Sequence, residues 1–196
     1  MTCLPSGVPI SDYFIPHHCS ERLRGIDRTG PMFSHPPFWR LWSGRWRALP
    51  DLVIIGAQAG GTTSLYSYLG QHPLIFRAKR REVHYFDFRD DLPLDWYRAF
   101  FPLDLSMKLC RVVRSNQAIT MESSPTYLVL PAALRRLALT LPQVRLIVLL
   151  RDPVHRTYSQ YHKSVRRKVE SRSFEEAVEF DRRRADEVWA RRRHDG

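Results

Sequence analysis

Three clusters in this 196-residue chain combine residue types that can do chemistry. The first is Gly56-Ala57-Gln58-Ala59-Gly60-Gly61-Thr62-Thr63-Ser64. Its glycines let the backbone approach an anion with no Cβ in the way, and Thr62, Thr63 and Ser64 add hydroxyl donors where a helix begins. The second is Lys79-Arg80-Arg81-Glu82-Val83-His84. Side chains alternate along an extended segment, so Glu82 and His84 share a side and set a carboxylate and an imidazole beside a basic run. A base acting on an alcohol, with an anionic donor close by, needs such a neighbourhood. The third is Arg151, with Ser159 eight residues on, about two helical turns later. A guanidinium binds a phosphate through paired hydrogen bonds, and the hydroxyl adds a third. Each cluster also has a plain structural reading. The loop can be a tight turn with capping hydroxyls. Glu82 can be a surface partner of Arg80 or Arg81, with His84 half-buried against Tyr85. Arg151 can pair with Asp152, ahead of an ordinary helical serine.

These clusters need elements to hold them. Leu52-Val53-Ile54-Ile55 is a continuous apolar, β-branched run, as expected of a strand buried on both faces. The helix predicted over Thr62–Gln71 follows the loop and is ended by His72-Pro73. A weaker strand is expected at Ala118–Met121, and a helix over Pro131–Leu141 opened by its proline. Val144–Leu150 reads as a second strongly buried strand. A helix from Asp152-Pro153 then runs through Tyr158, Tyr161 and Val165. A further amphipathic helix covers Ser173–Ala190, with Ser173 as cap and Glu176 at the capping-box position. Strands alternating with helices predict a parallel α/β sheet with right-handed crossovers. Residues 1–50 read as an irregular extension rich in Pro, Ser and Gly. Its aromatic cluster Phe38, Trp39, Trp42 and Trp46 reads as a short helix packed on the domain or as an accident of the chain start. The domain itself is expected over 51–196.

The formal net charge is +11, which attracts anions: a phosphorylated nucleotide, an acidic glycan, nucleic acid or an anionic membrane. Short runs such as Arg166–Lys168, Arg182–Arg184 and Arg191–Arg193 lie among acids and read as solvated helix faces. No nucleic-acid module is recognisable, so no nucleic-acid partner is expected. The three cysteines are scattered without zinc spacing, which argues against a disulfide scaffold. No apolar stretch approaches the ~20 residues of a membrane span, and no signal peptide is evident. A cytoplasmic protein is expected, the alternative being a Golgi-lumenal one whose anchor lies outside this chain.

The first cluster nearly has the G-x-x-x-x-G-K-[ST] spacing of a nucleoside-triphosphate loop, with Thr62 at the lysine position. A triphosphatase needs that lysine and usually a metal carboxylate. Neither is evident, so the loop suits a nucleotide carrying phosphate and sulfate better than ATP with Mg²⁺. The stretch from Pro50 to Tyr66 resembles the 5′-phosphosulfate-binding loop of the sulfotransferases that use 3′-phosphoadenosine 5′-phosphosulfate (PAPS). It is closest to the heparan-sulfate type and its bacterial relatives. Arg81-Glu82-Val83-His84-Tyr85-Phe86-Asp87 resembles that family's K/R-E-V-H-F-F-D segment. Asp95–Pro102 resembles its W-Y-x-x-x-F-P stretch, Glu122–Tyr127 its E-x-[ST]-P-x-Y turn, and Arg151–Tyr161 its R-D-P-x-x-R-x-x-S-x-Y motif.

The resemblance spans about Asp51–Asp181. It implies a P-loop-like three-layer α/β fold around a central parallel sheet, with the C-terminal part of the family domain absent. It implies that Gln58, Ala59, Gly60, Gly61, Thr62, Thr63 and Ser64 hold the 5′-phosphosulfate, and that Arg151 and Ser159 hold the 3′-phosphate. Glu82 is then the general base with His84 beside it, Asp87 orients His84 or serves structure, and the Glu122–Tyr127 turn lies along the acceptor cleft. The implied function is metal-free sulfuryl transfer from PAPS to a hydroxyl or amine of a carbohydrate acceptor, releasing 3′,5′-ADP. Ala59 departs from the family, which carries a lysine there to bridge the leaving phosphate and the sulfuryl oxygens. The alternative is therefore a catalytically weak or inactive PAPS-binding homologue or fragment.

Overall fold

Leu52–Gly56 forms strand β1, and every residue of it is buried. Strands pair with it on both edges, and on one face Leu52 and Ile54 pack in a core cluster with Tyr66. In this computed structural model, which describes residues 35–114 and 117–183, the sheet is all parallel. Its order is β2-β3-β1-β4. The partners are β2 (Ile75–Arg77), β3 (Ile119–Ser123) and β4 (Arg145–Val148). Leu52 is opposite both Met121 and Arg145 in register. Strands β1 and β3 are one residue either way of their expected bounds or slightly longer, and β2 carried no sequence signal because three residues are too few to show a period.

Strand β4 corrects one expectation. Val144–Leu150 reads as strongly buried, yet β4 lies at the sheet edge, where Leu146 is 46% and Val148 41% exposed. An apolar run records that a strand can be buried; it does not record how many neighbours cover it.

The helices around the sheet are short. They are α1 (Phe38–Trp42), α2 (Thr62–Leu69), α3 (Tyr85–Phe88), α4 (Leu94–Arg98), α5 (Asp104–Val113) and α6 (Pro131–Thr140). Ile54, Tyr66 and Met121 centre one core cluster between α2 and the sheet. A second centre is aromatic. The Tyr85 ring stacks on Tyr97 at 4.8 Å, and Phe86 meets Tyr97 and Tyr127 edge-on at 5.3 and 5.6 Å. Trp96, Tyr97, Phe100 and Phe101 are buried, as their ranking among core residues suggests. Residues 38–42 of the aromatic cluster do form the short helix α1, but Phe38, Trp39 and Trp42 are exposed, so their rings are not what packs it on the domain. It is tied down by Arg40 and Arg47, which donate to the Phe101 carbonyl at 2.7 and 2.9 Å.

The sheet unit ends at Asp152, and a second unit begins at Pro153. Its described part holds α7 (Pro153–Arg166) and a helix over 174–183. The capping box is present: Ser173 Oγ accepts from the Glu176 amide at 3.2 Å, and Glu176 accepts from the Ser173 amide at 2.9 Å. Residues 184–190 of that expected helix, the arginine run at 191–193 and residues 1–34 of the expected extension lie outside the described residues.

Candidate active site

The loop after β1 is stitched to the end of β4. The Leu149 amide donates to the Gly56 carbonyl at 2.8 Å, and the Ala57 amide donates back to the Leu149 carbonyl at 2.9 Å. The chain then turns tightly, with the Gly60 amide on the Ala57 carbonyl at 3.0 Å. A Cβ at Gly60 would stand 2.8 Å from the carbonyl oxygens of both Ala57 and Leu149, so only glycine fits. Gly61, at φ 100°, supplies the left-handed step into α2. Ala59 also takes a left-handed φ of 59° without being glycine. The first N–H groups of α2, on Thr62, Thr63 and Ser64, have no carbonyl one turn back within the helix and point out of its N-terminus. Thr62 is buried; Thr63 and Ser64 are exposed; Gln58, Ala59 and Gly60 are half-buried. Backbone donors in a positive dipole field make this loop a candidate anion cradle.

Arg151 belongs to this cradle. It follows β4, is exposed, and its guanidinium donates to the Ala59 carbonyl at 3.2 Å. Ser159 is half-buried on α7, in the second unit.

Glu82 and His84 do share a side, although the segment is not extended throughout. His84 takes a left-handed conformation, φ 57° and ψ 41°, as the residue preceding α3. Such a conformation costs a non-glycine residue roughly 1–2 kcal/mol, histidine being among the types that adopt it more often. It turns the ring inward, so His84 is 2% exposed rather than half-buried. Nδ1 meets Asp87 Oδ2 at 2.9 Å, and Nε2 faces Glu82 Oε2 at 3.5 Å. Asp87 thus orients His84, and Thr126 in turn donates its hydroxyl to Asp87 Oδ2. Burial pushes the His84 imidazole down, but the charge and hydrogen bond of Asp87, followed by those of Glu82, raise it to about 9. At neutral pH the ring is an imidazolium held between two carboxylates. Glu82 is the outward member, 31% exposed, with the Arg81 guanidinium 3.5 Å away on its other oxygen.

Glu122 was legible only as part of a turn. The structure places it at the end of β3, wholly buried, with Ser123, Ser124, Thr126 and Tyr127 buried beside it. The turn therefore faces the interior rather than an open cleft. Tyr97 donates its hydroxyl to Glu122 Oε2, and Ser124 donates to Oε1 at 2.7 Å. Burial pushes this carboxyl up, while the hydrogen bonds from Tyr97, Ser124 and Tyr127 pull the other way; the outcome is a raised pKa. The available signal was the polar series Glu122, Ser124, Thr126 leaving an apolar strand. Its period of two puts all three on one side if the extended conformation persists.

The cradle, Arg151 and the Glu82–His84 pair share one end of the sheet. The Ser124 amide bonds the Ile54 carbonyl at 3.0 Å, and the Ser123 amide bonds the Arg81 carbonyl at 3.3 Å. The ends of β1, β3 and β4 thus deliver, in order, an anion cradle, the support for a carboxylate–imidazole pair, and a guanidinium. The carboxyl ends of parallel strands are where α/β sheets bind ligands.

A family model described as the sulfotransferase domain matches residues 49–187. The chain belongs to the sulfotransferase family. Its similarity to the human heparan sulfate glucosamine 3-O-sulfotransferase 3B1 is 35% identity over 147 residues, 74% of this chain and 35% of that protein. To the mouse heparan sulfate glucosamine 3-O-sulfotransferase 6 it is 38% identity, over 74% of this chain and 36% of that protein. The membrane-associated sulfotransferase kil1 of Dictyostelium discoideum is 37% identical over 62% of this chain and 24% of its own length. Among solved structures, a sulfotransferase from Alicyclobacillus acidocaldarius superposes with a TM-score of 0.53 at 31% identity, covering 72% of this chain and 60% of that one. This sulfotransferase-family chain thus spans about a quarter to a third of the length of the curated relatives it matches. Among its described residues no helix is long and apolar enough to cross a membrane.

Proposed function

We propose that the chain binds PAPS and transfers its sulfuryl group to a hydroxyl or amine of a carbohydrate acceptor, releasing 3′,5′-ADP. The observation that carries this reading is the convergence at one sheet end of a glycine-containing backbone loop, a guanidinium and an outward carboxylate backed by a buried imidazolium. The names of the relatives, which include heparan sulfate glucosamine 3-O-sulfotransferases, support the carbohydrate class.

The residues fit the donor. The first amides of α2 supply donors, and Thr63 and Ser64 add exposed hydroxyls. Arg151 is assigned to the 3′-phosphate. Glu82 takes the proton from the acceptor as the acceptor atom attacks sulfur and the bond from sulfur to the 5′-phosphate oxygen breaks. The electron pair leaves with 3′,5′-ADP. His84 keeps Glu82 in place, its Nε2 3.5 Å from Glu82 Oε2.

One observation favours a second reading, a PAPS-binding chain that transfers slowly. Ala59 puts a methyl group where relatives of this type carry an ammonium. Calorimetry with 3′,5′-ADP and 5′-AMP, then transfer of labelled sulfate from PAPS, separates the readings. The expected result is a preference for 3′,5′-ADP of roughly ten- to a hundredfold, the worth of one charged hydrogen-bonding partner, and its loss in Arg151→Ala. Equal affinities would remove the 3′-phosphate clamp. Tight binding with no transfer would leave the second reading.

A further inference from the structure

We propose that Glu122 is a positioning residue for Glu82 and His84, acting from inside the sheet through the hydroxyls of Ser124 and Tyr127. The inference rests on the reading of Glu82 and His84 as the reacting pair.

The three amides of His84, Tyr85 and Phe86 open the short helix α3, whose own carbonyls cannot reach them. Two hydroxyls take all three. Ser124 Oγ accepts from the His84 amide at 3.3 Å, and Tyr127 OH accepts from Tyr85 and Phe86 at 3.1 and 3.4 Å. Each hydroxyl has a single hydrogen to direct. Ser124 sends its hydrogen to Glu122 Oε1 at 2.7 Å, and the Tyr127 hydroxyl interacts electrostatically with the same carboxyl. The carboxyl therefore decides which way both hydroxyls turn, and so whether their lone pairs face the amides. The residue held is the one in a left-handed conformation whose ring stands between Asp87 and Glu82. A fully buried carboxyl is costly where packing alone is needed, since an apolar side chain would fill the space with no desolvation. Its four-way arrangement with Tyr97, Ser124 and Tyr127 is accounted for if its task is to aim hydroxyls.

The test is an NMR titration of the His84 ring in the full chain, assigned with His84→Gln. In the wild type the ring is expected to titrate near pH 9. In Glu122→Ala and Ser124→Ala it is expected to fall by about one pH unit or more toward the ordinary value of about 6.5, as the ring leaves its carboxylates. In Glu122→Gln it is expected to stay within about half a unit, because the amide oxygen still accepts from Ser124 and the amide nitrogen donates to Tyr97. Folded alanine variants with an unmoved His84 titration would overturn the proposal, since core filling alone lowers thermal stability without touching the ring. If the alanine variants fail to fold, amide exchange in the wild type decides. Slow exchange at His84 is expected, and exchange at the unprotected rate overturns the proposal. The titration needs no turnover, so a chain without transfer activity but with the expected titration shifts would refute the proposed activity alone.

Discussion

The proton on His84 makes the stability of the sheet unit depend on pH in a direction that can be worked out. The imidazole stands at about 9 in the fold against about 6.5 in an unfolded chain. At about 1.36 kcal/mol per pKa unit, that gap is worth roughly 3 kcal/mol for a group so well buried. The folded state binds the proton more tightly, so this stability is fully present below pH 6.5 and is lost as pH rises through 9. Removing Asp87, the largest contributor to raising the pKa, should remove most of the effect while leaving the ring in place. Asp87→Asn keeps a hydrogen-bond acceptor for Nδ1 but no charge. Urea unfolding at pH 6 and at pH 9.5 checks this. The wild type should lose roughly 3 kcal/mol between the two, and Asp87→Asn less than about half of that. A wild type equally stable at both pH values, or more stable at the higher one, would show that desolvation wins and that His84 is neutral. An unchanged difference in Asp87→Asn would show that another group carries the proton.

Three further outcomes follow from the site. Glu82→Gln should lower sulfate transfer by roughly 10²–10⁴-fold, the usual worth of general base catalysis, with 3′,5′-ADP binding in calorimetry nearly unchanged; unaltered transfer would make Glu82 only an ion-pair partner of Arg81. Ala59→Lys should raise the single-turnover transfer rate at saturating PAPS, because one preorganised donor at developing charge is worth about 2.7–4 kcal/mol in a well-studied case; a fast wild type with no gain would show that another residue already neutralises the leaving group. Gly60→Ala would set a methyl 2.8 Å from two carbonyl oxygens and should cost about 1–3 kcal/mol in thermal unfolding together with most nucleotide affinity; wild-type binding in that variant would place the anion elsewhere.

The sequence carried the strand–loop–helix at 52–69 because three independent signals coincide there: an apolar β-branched run, glycines at a turn, and a helical period. The Glu82–His84 pairing was legible from period-two alternation, and the structure does bring the two within 3.5 Å. That reasoning had the right result for a different cause. The ring reaches Glu82 through a left-handed residue, which no local propensity announces. The depth of His84 was not legible for the same reason, because burial here is set by Asp87, Ser124 and Thr126, two of them some forty positions downstream. Glu122 shows the same limit. Charged side chains are read as exposed by default, and it takes a partner as distant as Tyr97 to reveal a carboxyl that the fold has taken inside. Strand β4 erred the other way, since its apolar pattern could not report an edge.

The parallel order of the sheet bears on how the chain comes to be folded at all. Among the described residues no strand pairs with a neighbour through a hairpin, and β1 pairs at Met121 and Arg145, far along the chain. Contacts of such separation must repay a large loop-closure entropy before they give anything back, so they form late and slowly. During synthesis from the N-terminus, Leu52-Val53-Ile54-Ile55 leaves the ribosome long before either partner exists. Until then its apolar side chains and unpaired backbone are open to any other strand, and they stay so until β3 arrives on one flank and β4 on the other. The element that centres the finished sheet is thus the one most in need of a chaperone while the sheet is being made.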